Sequence, residues 1–124
     1  MTKKKRIYNS THLVAAIEKW QLPFYDEKHG YFIYVEGNAR SNQTRIEHIV
    51  EYSHDLKVRD LKKVPKGINK YFKYKKDPYY KNTYNYYLQR GGKDRGFIKI
   101  SIQVDHCDNK RAWIKTIYIT YVIK

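Results

Sequence analysis

Arg45, His48 and Tyr52 recur at i, i+3 and i+7, a spacing that sets all three along one stripe of a helix. Ile46, Ile49 and Val50 fill the adjoining apolar stripe, so the histidine borders whatever that helix packs on. Histidine is the side chain whose ordinary pKa lets it give and take a proton near neutrality. Cleavage of RNA through its own 2′-hydroxyl asks for such a carrier, and for cations or donors where charge builds on the phosphate. It asks for no metal and no covalent enzyme intermediate. Lys99, Arg90, Lys115 and Thr116 are the donors that later segments can supply. His54, six residues beyond His48, is a second carrier if the helix ends in time to let it swing toward the basic loop. The plain alternatives are a structural His48 hydrogen-bonded at a helix–sheet boundary and a His54 that caps the helix's negative end.

The elements that must hold these residues follow from pattern. Ser10 can cap a helix over Thr11–Trp20, which Pro23 stops. Phe24-Tyr25, the polar turn Asp26-Glu27-Lys28-His29-Gly30 and Tyr31 to Val35 read as a short hairpin. Thr44 with Glu47 matches a capping box and opens the His48 helix, expected to run to about Ser53. Val58 to Val64 adds helical turns ending near Pro65 and Gly67, and Tyr84–Gln89 is a strand followed by the turn Gly91-Gly92. Two alternating strands close the chain. Ile98, Ile100, Ile102 and Val104 alternate with Phe97, Lys99, Ser101 and Gln103, and Ile117, Ile119, Tyr121 and Ile123 with Thr116, Tyr118 and Thr120. One face of each buries aliphatics while the other shows ammonium, hydroxyl and amide groups. The expectation is an α+β fold with N-terminal helices packed on an antiparallel meander of about four strands. Its 124 residues form a single domain, 1–40 giving the first helix and hairpin and 41–124 the second helix and meander.

Charge narrows the partner. The formal net charge is +14, and from Lys57 to Lys81 ten cations face only Asp60 and Asp77. Cations paired with phosphates release condensed counterions, which gives affinity without sequence preference. Within this stretch Tyr71-Phe72-Lys73-Tyr74-Lys75-Lys76 interleaves rings with cations, so bases can stack while Lys73, Lys75 and Lys76 take phosphates. An edge strand guarded by lysine would read the same way. Asp105-His106-Cys107-Asp108 holds three metal-ligand types but no second cluster at diagnostic spacing, so it reads as a turn. No metal or cofactor is expected. A single cysteine and the lack of a long apolar run point to a cytoplasmic protein with no membrane partner.

The run Arg45 to Leu56, followed by Asp60-Leu61-Lys62-Lys63-Val64-Pro65 and Gly67-Ile68, resembles the helical opening of phage-type nucleases of the barnase–EndoU–colicin–RelE superfamily. Trp113-Ile114-Lys115-Thr116-Ile117-Tyr118 is similar to that family's closing strand with its hydroxyl residue. The resemblance covers roughly residues 44 to 124. It implies a metal-independent ribonuclease, often a toxin or mobile-element effector, with the helix histidine at His48 and the hydroxyl at Thr116. The expected catalytic set is then His48, Thr116, Lys99 and Arg90. Arg45, His54, Lys73, Lys75, Lys76, Lys115 and Tyr118 would bind the RNA, and an acidic immunity or antitoxin protein is a further partner. The competing readings are a nucleic-acid-binding module without catalysis and an inhibitor of a host defence protein.

Overall fold

The aliphatic side chains of the strands lie on one face of a common sheet, and the helices cover that face. The structure, a computed structural model, describes residues 11–35, 46–51 and 54–123. Its elements are α1 (Thr11–Glu18), β1 (Phe24–Asp26), β2 (Tyr31–Tyr34), α2 (Ile46–Ile49), α3 (Val58–Gly67), β3 (Lys73–Lys76), β4 (Thr83–Gln89), β5 (Phe97–Val104) and β6 (Arg111–Thr120). The protein is α+β, with six strands in the order β1-β2-β6-β5-β4-β3. Strands β3 to β6 form an antiparallel meander. The expectation of about four antiparallel strands is corrected at the other edge, where the β1–β2 hairpin joins and β2 lies parallel to β6. Its apolar pattern explains why. Phe24 and Ile33 pair with each other, and Ile33 pairs with Ala112, so the hairpin extends the buried face in register.

That covered face is built from Ile98, Ile100, Ile102, Ile114 and Ile117, all fully buried. Leu13 and Ile17 of α1, Ile46 and Ile49 of α2, and Leu61 and Val64 of α3 pack into the same core. Each side chain so buried contributes about 1.5–3 kcal/mol by its removal from water. Strand β6 starts five residues earlier than the alternation suggests and stops at Thr120. The register shifts between Ser101 and Ile102, and opposite it both Lys115 and Thr116 fall between Ile114 and Ile117. The bulge breaks the period-2 pattern and hides the first half of the strand. Helix α2 is also shorter than expected, ending at Ile49, while Thr44 and Ser53 lie outside the described residues. Pro65 sits inside the last turn of α3, where its missing N–H removes only one late hydrogen bond.

The sheet curls until its edges approach each other. Asn69, just before β3, donates from Nδ2 to the Tyr25 carbonyl and accepts from the Glu27 N–H through Oδ1, both at 2.9 Å. The Tyr31 and Tyr74 hydroxyls meet at 3.0 Å across the covered side. Among the described residues no helix is long and apolar enough to cross a membrane.

Candidate nucleic-acid interface

The face turned away from the helices is organised in rows by strand register. One row runs Lys73, Tyr87, Lys99, Tyr118 across four strands. The next runs Lys75, Asn85, Ser101, Thr116. A third joins Thr83, Gln103, Trp113 and Tyr34, and beyond it Arg111, Phe32 and Tyr25 continue to the β1 edge. Asp26 is the one acidic residue in any described strand, and alternation puts it on the other face. This face therefore receives lysines, an arginine and rings with no carboxylate from the strands themselves. Tyr87, Asn85, Ser101, Thr83 and Trp113 are buried within it, while Lys73, Lys75, Lys99, Thr116 and Tyr118 stay at least partly exposed.

Local bonds fix its centre. The Lys99 ammonium donates to the Tyr118 hydroxyl at 2.9 Å and lies 5.3 Å from that ring's centroid. Partial burial works against its charge, but the bond to Tyr118 and the fields of Tyr118, Tyr87 and Asp77 outweigh it, so its pKa lies above the ordinary lysine value. Beside it the Ser101 hydroxyl donates to Asn85 Oδ1 at 2.6 Å, and Asn85 Nδ2 donates to Asp77 Oδ1 at 3.1 Å. Asp77 Oδ2 accepts the N–H groups of Tyr79 and Tyr80, both at 2.9 Å. Desolvation raises the Asp77 pKa, yet these bonds and Lys99 hold it below the ordinary carboxylate value. The result is a turn that presents Tyr79 and Tyr80 to solvent, 85% and 63% exposed. The Lys115 ammonium stands 5.1 Å from the Tyr80 ring, a cation–π contact at the edge of the face. Phe72 stacks on Phe97 at 5.3 Å, and Tyr25 lies 4.7 Å from Phe32.

Of the residues singled out from sequence, the sheet brings together Lys73, Lys75, Lys99, Thr116 and Tyr118, with Lys115 at the bulge. Lys76 pairs with Tyr84 and so belongs to the other face of β3. Helix α2 packs by Ile46 and Ile49 on the covered side, and the His48 ring, 53% exposed, pairs through Nδ1 with Glu51 at 2.7 Å. The sheet stands between His48 and the Lys99–Thr116 face. His54 is exposed in the turn after α2, and Arg45 lies outside the described residues. Arg90 is buried and bonded within the fold. Its Nε and NH2 donate to the two oxygens of buried Asp60 at 3.0 and 2.8 Å, and NH1 and NH2 also reach the Arg95 and Asp55 carbonyls. Asp60, third residue of α3, accepts the Lys57 N–H as well, so this pair ties the helix start to the end of β4. Burial opposes the Arg90 charge, but Asp60 keeps its pKa above the usual guanidinium value. Asp105, His106 and Cys107 bring three ligand atoms within 4.8 Å of one another at an exposed turn, where Asp105 Oδ1 already accepts the Cys107 N–H.

Sequence reasoning missed the Ser101–Asn85–Asp77 chain and the exposed Tyr25–Phe32 pair. Only strand pairing shows that residues so far apart share one surface. Comparison of the chain with protein-family models, with curated proteins and with solved structures finds no match in any of the three.

Proposed function

We propose that this protein binds single-stranded RNA across the open face of its sheet. The observation that carries this reading is that Lys73, Lys99 and Tyr118 of one row and Lys75 and Thr116 of the next stay at least partly exposed together on a face to which no described strand adds a carboxylate. A single strand offers both bases for rings and phosphates for lysines, whereas a duplex hides its base faces. Thr116 and Gln103 set a hydroxyl and an amide beside the cations, the kind of group that can engage a ribose 2′-hydroxyl and so favour RNA over DNA.

The test is fluorescence anisotropy of labelled single-stranded RNA, duplex RNA and single-stranded DNA against salt. With three to five phosphates engaged, log affinity for the single strand should fall against log salt with a slope of about −2 to −3.5. Affinity that does not change between about 50 and 200 mM salt contradicts the reading. Metal-independent cleavage, as expected from the sequence, placed its proton carrier at His48. With that residue across the sheet, cleavage needs another carrier.

A further inference from the structure

Where the curled edges meet, the β1–β2 turn holds a histidine against a buried carboxylate. His29 Nδ1 lies 2.8 Å from Asp26 Oδ2, and Asp26 is completely buried. Asp26 Oδ1 closes the turn by accepting the N–H groups of Lys28 and His29, both at 3.0 Å. The Tyr86 hydroxyl donates to Oδ2. The carboxylate is therefore satisfied as a turn-former without the imidazole. Because Asp26 only accepts here, the His29 proton is assigned to Nδ1 and the lone pair to Nε2. The ring is held further by stacking on Tyr74 at 3.9 Å and 19°. Burial raises the pKa values of the neighbouring phenols Tyr31, Tyr74 and Tyr86, so they stay neutral beside Asp26. The His29 side chain is 22% exposed, and its Nε2 makes no hydrogen bond among the described residues.

A chain of aromatic contacts links the open face to this histidine. Phe97, on the open face, stacks with Phe72. Phe72 and Tyr71 line a groove of about 390 Å³ with Lys63, Lys70 and Gln89. Tyr71, next in the chain to Phe72, has its ring 6.2 Å from His29. The groove thus offers rings for bases and the Lys70 ammonium for a phosphate, while the Lys63 ammonium is held by the Arg90 carbonyl.

We propose that His29 is the general base of a ribonuclease site, acting on RNA led off the open face along Phe97, Phe72 and Tyr71. This rests on the RNA-binding reading. Nε2 takes the proton of a ribose 2′-hydroxyl, and the 2′-oxygen forms a bond to the adjacent phosphorus. The bond from phosphorus to the 5′-oxygen breaks, and solvent water supplies the proton that completes the 5′-hydroxyl. The imidazolium, stabilised by Asp26, then returns its proton to solvent. The products are a 2′,3′-cyclic phosphate and a 5′-hydroxyl, with no change of oxidation state.

The experiment incubates the full chain with 5′-labelled single-stranded RNA in EDTA and follows cleavage and binding separately. Wild type should release 2′,3′-cyclic phosphate ends and leave a fully 2′-deoxy oligonucleotide intact. His29→Gln should slow cleavage by about 10²–10⁴-fold while still binding RNA. Tyr71→Ala, which leaves the Asp26–His29 bond in place, should reduce cleavage about tenfold by loosening the path, and it serves if His29→Gln does not fold. The exposed His106→Ala should cleave as wild type does. Cleavage of equal rate in folded His29→Gln, or no effect of Tyr71→Ala, overturns the assignment. Wild type that binds RNA but never cuts it overturns the assignment and leaves the binding reading standing. Wild type that does not bind removes both.

Discussion

The two faces of the sheet treat charge in opposite ways. The buried charged groups of the covered side are saturated: Arg90 gives four hydrogen bonds, two of them to Asp60, and Asp26 accepts four. On the open side the strands supply Lys73, Lys75, Lys99 and Arg111 with no acidic residue among them. A buried charge without a partner is costly, so the first arrangement is what folding demands. Like charges gathered on a surface are not demanded by folding, and a slight repulsion is tolerated there. Buried charges on the covered side therefore hold the structure, whereas the excess on the open side is what the proposed RNA surface would use.

Arg90 is where this contrast should show most strongly. Arg90→Ala strands Asp60 in the core and should lower unfolding free energy by about 3–5 kcal/mol, measured by urea denaturation. The triple variant Lys73→Gln, Lys75→Gln, Lys99→Gln should keep near-native stability yet flatten the salt slope of RNA binding by about 2, at roughly 0.7 for each phosphate left without its lysine. If the triple variant unfolds as readily as Arg90→Ala, the division of labour between the faces is wrong. Smaller again, Phe32→Ala or Tyr80→Ala should weaken single-strand binding by about 1–3 kcal/mol for each base that stacks there, read by anisotropy. The smallest effect is in pH. The Asp77 pKa is depressed in the folded state, so its contribution to stability is present above the ordinary carboxylate pKa of about 3.9 and is lost as pH falls through the lower folded value. Thermal unfolding should therefore show a downturn in Tm below about pH 4, and Asp77→Asn should shrink it.

Much of this fold could be read directly from local pattern. Alternation in Phe97–Val104 identifies a strand and its buried face. What local pattern hides is long-range pairing. The bulge at Lys115 and Thr116 masks the start of β6, and nothing near Tyr31 announces that β2 lies parallel to a strand some eighty residues later. Chemistry is harder to read than architecture. Helical spacing does place His48 beside an apolar stripe, but a helix can cover either face of a sheet, and α2 covers the aliphatic one. Arg90 reads as a free cation until Asp60, thirty residues earlier, is seen to hold it. Asp26 and His29 stand three apart in a turn, and by spacing alone they are no more than that turn. The partners that set them apart, Tyr74 and Tyr86, come from the far edge of the curled sheet.

Whether RNA lies on the open face can be read residue by residue from an NMR titration of the labelled protein with a short single-stranded RNA. Chemical-shift changes should cluster on outward-facing residues of β3 to β6, led by Lys73, Lys75, Lys99, Thr116 and Tyr118, and extend toward Phe72. Changes confined to α2 and α3, with those strand residues unmoved, would contradict an open-face RNA surface.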